Sequence, residues 1–316
     1  MDAVNSIDSI EAITLGGIKQ WISLRSKNTL NPILLCLHGG PGTAQIAFSR
    51  KLQSALDNDF IVVNWDQRGA GRSYSSRIKA EDMRIEKFVL DAEELAEVLL
   101  RRFGQEKLFL LGHSWGSIIG VYLAAKRPDL LWAYVGVGQI ADMTRGEKLS
   151  YEFTINEAKR IGNQKAVREL SRIGEPPYLN LRDGGIQRKW LDKFGGQIMN
   201  GSAIGMFIRN LSLRDLGLFG ITKFICGAAF SLRNLEEQQN LVNLFKDVLK
   251  INAPVFFCCG RRDYNTPFEL ALEYLEKLNA PLKEIVWFEN SAHVPNMEEA
   301  DAFHEFCLTK LSGCIK

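Results

Sequence analysis

A chain of 316 residues, 46% apolar and 24% charged, is long enough to bury a large core without disulfide or metal staples. Its net charge of +2, with no run of like charges and no low-complexity tract, excludes the clustered basic face of a nucleic-acid binder. The start MDAVNSIDSI lacks a basic opening and an apolar run, and Gly217 to Leu232 is too short and too interrupted to span a bilayer, so a cytoplasmic protein that does not engage membranes is expected.

In chain order, short apolar runs alternate with longer helical patterns. Ile33–Leu37 reads as a buried strand ending in His38-Gly39-Gly40-Pro41-Gly42. Phe60–Trp65 is a second strand, ending in Asp66-Gln67-Arg68-Gly69. Residues 86–103 carry Phe88, Leu95, Val98, Leu99 and Phe103 at helical spacing. Lys107–Leu111 reads as a strand, Ser117–Lys126 as a helix closed by Pro128, and Ala133–Val137 as a strand. The rhythm resumes with strand Pro254–Cys259, helix 267–278, strand Glu284–Phe288 and helix 298–311. Such alternation implies an α/β fold, a mostly parallel sheet flanked by helices. Residues 140–250 break the rhythm, with helical patterns, a Pro176-Pro177 pair and more basic than acidic residues. They read as a helical cap inserted into a core of residues 1–139 and 251–316. The cysteines at 36, 226, 258, 259, 307 and 314 fit no zinc spacing and read as buried free thiols.

The chemistry gathers at strand ends. Gly112-x-Ser114-x-Gly116 between a strand and a helix is a nucleophile elbow, where glycines allow close backbone passage and the helix N-terminus favours developing negative charge. Of the four histidines, His38 and His113 precede the serine, and His304 sits in an amphipathic helix. His293, in a loop after the strand Glu284–Phe288, is the expected general base, in the order serine, acid, histidine. Asp263, just past Pro254–Cys259, is the expected orienting acid; Asp142 is the rival. A cap for the helix near Pro267 is the other role open to Asp263, but Thr266 suits that role better. The N–H of Trp115 and that of Gly40, with Gly39 next, are the expected oxyanion donors. Trp65, Trp115, Gln139 and Tyr264 lie near strand ends, where each could line the site or pack in the core. No metal-ligand spacing or dinucleotide fingerprint appears. Asp at position 114 would have pointed to dehalogenase or epoxide-hydrolase chemistry, but serine stands there.

His38-Gly-Gly-Pro-Gly42, Asp66-Gln-Arg-Gly-Ala-Gly-Arg-Ser73 and Gly112-His-Ser-Trp-Gly-Ser117 together resemble the prolyl aminopeptidase (proline iminopeptidase) branch of the α/β-hydrolases. Gly260-Arg-Arg-Asp263 and Ser291-Ala-His293 are similar to the acid and base loops of that superfamily. The resemblance implies an α/β-hydrolase fold and a serine mechanism with neither metal nor cofactor. It also implies a short-peptide substrate losing its N-terminal residue, often proline. In that family acidic cap residues hold the free amine. The cap here offers Glu147, Glu152, Glu157, Glu169, Glu175, Glu236 and Glu237, and no flanking motif selects among them. The same triad would serve a carboxylesterase, lactonase or amidase for a small apolar acyl compound. A non-catalytic relative binding a small ligand under its cap is the reading from another class.

Overall fold

The structure, a computed structural model, describes residues 5–178, 180–217 and 220–315. Eight strands form one sheet: β1 (Ile7–Leu15), β2 (Ile18–Ser26), β3 (Ile33–Leu37), β4 (Ile61–Asp66), β5 (Leu108–His113), β6 (Leu131–Val137), β7 (Val255–Gly260) and β8 (Lys283–Phe288). Their spatial order is β1-β2-β4-β3-β5-β6-β7-β8. From β4 to β8 all pairs are parallel, whereas β1 and β2 run antiparallel at one edge.

The antiparallel hairpin is absent from the expectation drawn from sequence. Its signal was available: Gly16 and Gly17 join the strands with φ of 53° and 75°, the left-handed pair that a two-residue hairpin turn requires. The interior strands are buried on both faces, and each contributes to two cores by alternation. Leu35, Leu37, Val63, Leu110 and Phe257 face one cluster; Leu34, Cys36, Val62, Phe109 and Cys258 face the other.

Helices α1 (Ile46–Leu52), α2 (Ile85–Phe103) and α3 (Trp115–Lys126) fall among the first six strands. α2 buries Phe88, Leu95 and Leu99 and ends on Gly104, whose φ of 63° closes the helix. Between β6 and β7 the described chain is helical: α4 (Met143–Arg160), α5 (Gln164–Ile173), α6 (Leu181–Lys193), α7 (Ala203–Asn210), α8 (Leu213–Leu216), α9 (Gly220–Asn240) and α10 (Leu244–Asp247). α11 (Phe268–Lys277) joins β7 to β8, and α12 (Pro295–Glu298) and α13 (Ala300–Phe306) follow β8. The helix expected over 298–311 runs from Ala300 to Leu311, its last five residues, Cys307–Leu311, wound more widely, and a break at Glu299 separates it from the short α12 before it. The break has a local cause. Glu298 accepts the Ala292 N–H at 2.8 Å, and Glu299 accepts the Ser291 hydroxyl at 2.8 Å, so both side chains are drawn back to the loop before α12. Among the described residues no helix is long and apolar enough to cross a membrane.

Candidate active site

Ser114 stands between β5 and α3 at φ 53°, ψ −120°, the one non-glycine with positive φ among the described residues. A side chain is held there only when its surroundings over-determine the turn. They do so by close approach. A Cβ on Gly112 would lie 2.6 Å from the Gly116 carbonyl oxygen, and one on Gly116 would lie 2.2 Å from that of Leu37. The Ser114 N–H donates to the Val137 carbonyl at 2.9 Å, fixing the elbow to β6.

His293 follows β8 and is buried, with its Nδ1 3.0 Å from Asp263 Oδ2. Its backbone is held on two sides: its N–H donates to the Gln197 carbonyl at 3.0 Å, and its carbonyl lies 3.2 Å from His113 Nε2. Gly138 backs the ring, since a Cβ there would sit 2.7 Å from His293 Nδ1. Burial, with His293 nearby, pushes the His113 imidazole down to about 3, so it is a neutral partner at ordinary pH.

Asp263 is also buried, and apart from His293 its carboxylate contacts are local. Oδ1 accepts the N–H of Asn265 at 3.0 Å and of Thr266 at 2.9 Å, and Oδ2 accepts the Thr266 hydroxyl at 2.9 Å. Thr266 is therefore not the cap of α11 that its position before Pro267 suggested. Its hydroxyl turns inward to the acid and to His293 Nδ1, 3.1 Å away, because the turn made by Asp263 presents it there. Asp142, the rival acid, caps α4 through the Arg145 N–H at 3.0 Å and takes the Asn243 amide at 2.8 Å.

Ser114, His293, Gly39, Gly40 and Thr266 line one cavity of about 330 Å³. A Cβ on Gly39 would lie 3.2 Å from that of Ser114. Among the described residues neither the Gly40 nor the Trp115 N–H is bonded to another protein group, and Ser114 Oγ makes no hydrogen bond to His293. Nucleophile–base contacts commonly tighten only when substrate is bound. Apolar walls come from Phe48, Ile140, Met143, Ile198, Met206 and Phe207. The charged lining groups among the described residues are Glu147 on α4 and Arg188 on α6, in direct ion-pair contact. Glu236 on α9 is held above its ordinary range by burial and then by the Glu147 charge.

Of the two roles open to Trp65, Trp115, Gln139 and Tyr264, lining the site or packing, none of the four takes the first. Trp65 donates to Gln20 at 2.9 Å, Trp115 to Gln67 at 3.0 Å, Gln139 accepts the Tyr134 hydroxyl at 2.8 Å, and Tyr264 stacks on Phe153 at 3.8 Å. Cys226 is exposed and Cys314 half-buried, so only four thiols fit the buried reading. His304 pairs with Asp59 at 2.9 Å, away from the site. The sequence reading also missed Gln67, which donates to the His38 carbonyl at 3.0 Å while accepting from Trp115, tying the glycine loop to the elbow helix. The rest of the Asp66–Ser73 motif is structural: Asp66 accepts the Ile46 and Arg72 N–H groups, and Arg68 grips buried Asp91 with two 2.7 Å bonds.

The family model of the α/β hydrolase fold matches residues 32–173. The chain is 35% identical over 301 residues, 94% of each chain, to a Bacillus subtilis protein named Probable aminopeptidase YbaC. It is 23% identical to a proline iminopeptidase of Saccharolobus solfataricus, across 92% of this chain and 87% of that one. Its fold is similar to the crystal structure of a proline iminopeptidase-related protein from Thermus thermophilus, with TM-score 0.64 and 19% identity over 98% of each chain.

Proposed function

Since the chain belongs to the α/β-hydrolase family, in its prolyl aminopeptidase-like branch, we propose that it is a serine hydrolase releasing an N-terminal proline or another small apolar residue from short peptides. The observation that carries the serine mechanism is the buried His293–Asp263 pair, 3.0 Å apart, opening on the same cavity as a serine held at positive φ. In this reading Ser114 Oγ attacks the acyl carbon as His293 Nε2 takes its proton. Asp263 keeps the Nδ1 proton in place and stabilises the imidazolium. The N–H groups of Gly40 and Trp115, at the head of α3, meet the oxyanion, with Gly39 supplying the room. His293 returns the proton to the leaving amine, then activates the water that releases the acyl group.

Glu147 supports the aminopeptidase reading, as the one carboxylate of the described cap residues that lines the cavity. One of its oxygens faces Arg188; the other is the expected seat of the substrate ammonium, with Glu236 adding negative potential behind it. The cap, residues 140–250 in this reading, supplies both glutamates. The same Arg188 contact favours a second reading, an esterase or amidase on an uncharged acyl substrate, because the ion pair already neutralises Glu147.

A panel of free-amine prolyl, alanyl and leucyl amides, their N-blocked forms and short-chain esters separates the two readings, with Ser114→Ala as control. The aminopeptidase reading requires that blocking the amine abolishes turnover and that Glu147→Gln raises KM for free-amine substrates roughly tenfold or more. Ester turnover indifferent to the amine would leave the serine mechanism and reject the peptidase. Full activity of Ser114→Ala would reject both.

A further inference from the structure

Among the described residues Thr266 is the one hydroxyl within bonding distance of both members of the His293–Asp263 pair. Its Oγ1 lies 2.9 Å from Asp263 Oδ2 and 3.1 Å from His293 Nδ1. We propose that Thr266 is a positioning residue that selects the imidazole tautomer needed for proton abstraction, an inference that rests on the serine-hydrolase reading.

The argument is one of proton counting. The hydroxyl carries one proton and two lone pairs. Asp263 Oδ1 is already occupied by two backbone N–H groups, so its geometry is fixed. Oδ2 can only accept. When Thr266 donates to Oδ2, its lone pairs face Nδ1, and a proton on Nδ1 then has two acceptors, Oδ2 at 3.0 Å and Oγ1 at 3.1 Å. All three groups are satisfied, and Nε2 is left bare toward the cavity as a base must be. In the other tautomer Nδ1 is bare. Thr266 would then have to turn its proton to Nδ1, leaving Oδ2 with no donor in a buried place, or leave Nδ1 facing lone pairs on both sides. Buried acceptors stripped of donors are costly, so the hydroxyl adds to the bias that Asp263 alone imposes.

Nothing else in the loop duplicates the hydroxyl. The Thr266 N–H belongs to the turn and survives exchange to valine or serine, and the chain leaves through Pro267, which has no N–H to offer. Valine at 266 keeps the shape and the turn but removes the proton and the lone pairs. Serine restores both.

The test uses the full chain and a fluorophosphonate probe, whose reaction needs the nucleophile and its base but no peptide substrate. Thr266→Val is expected to lower the second-order labelling rate roughly ten- to hundredfold, and Thr266→Ser to hold it within about threefold of wild type. The far-downfield proton resonance of His293 Nδ1–H, identified by its loss in His293→Gln, is expected to move in Thr266→Val and to keep its place in Thr266→Ser. Wild-type labelling and an unmoved resonance in Thr266→Val would overturn the proposal. So would equal losses in the valine and serine variants, because shape rather than the hydroxyl would then matter. A wild-type protein that does not label would instead reject the serine mechanism, while the resonance would still decide the role of Thr266.

Discussion

Asp263→Asn tests the proposed mechanism at its most constrained point. The carboxylate has no freedom to accommodate an amide: Oδ1 faces two backbone N–H donors, at 3.0 and 2.9 Å, and Oδ2 faces Thr266 and His293 Nδ1. An asparagine must therefore keep its carbonyl on the backbone donors, because the opposite flip would set an NH2 group against two N–H groups. The amide NH2 then points at Nδ1 and donates to it. That bond holds the proton on Nε2, where it blocks abstraction from Ser114. In serine proteases an exchange that traps the same tautomer costs about 10⁴ in rate, equivalent to about 5.5 kcal/mol of barrier. The expected result here is a loss of about 10³ to 10⁴ in labelling rate. The turn bonds persist, so the stability cost should stay near 1–2 kcal/mol. Stopped-flow labelling and urea unfolding of the same preparation check both numbers. Labelling within tenfold of wild type, in a protein that unfolds like wild type, would refute the assignment of Asp263 as the orienting acid.

Asp142→Ala is the counterpart: removing the cap of α4 should cost about 1 kcal/mol in urea unfolding and leave the labelling rate unchanged. Gly116→Ala would drive a methyl to 2.2 Å from the Leu37 carbonyl oxygen, so α3 must move off β3. The expected outcome is a loss of about 1–3 kcal/mol by urea unfolding together with slower labelling, because Trp115 moves away from Gly40. His38 is buried, accepting the Gln67 N–H at 3.1 Å, and burial pushes its imidazole down to about 4 from 6.5. Between those pH values the unfolded chain binds a proton that the folded chain does not, so the contribution of neutral His38 is present above pH 6.5 and fades as pH falls toward 4. The destabilisation caused by His38→Asn should accordingly shrink by about 3 kcal/mol between pH 7 and pH 4, measured as the difference from wild type in urea unfolding. A pH-independent difference would show that His38 titrates alike in both states.

The parts of this protein that are legible in its sequence are those whose cause is local. The apolar runs of β3, β5 and β7 are buried on both faces, so they read as strands without knowledge of their neighbours. Gly112 and Gly116 report the crowding at the elbow, because only a missing Cβ lets the backbone pass there. Asp263 and His293 stand just past the ends of β7 and β8, so the apolar runs before them mark both as candidates without knowledge of which strands are neighbours. Tertiary structure decided the rest. Periodicity says which face of α4 is buried but not that Glu147 on it will meet Arg188 on α6, 41 residues away. Gln67 links His38 to Trp115 only because β4 lies beside β3, and β3 beside β5. Thr266 read as a helix cap, since its neighbours in sequence are a turn and a proline. Its hydroxyl meets His293, 27 residues on, because the sheet sets the ends of β7 and β8 side by side, and no local pattern carries that distance.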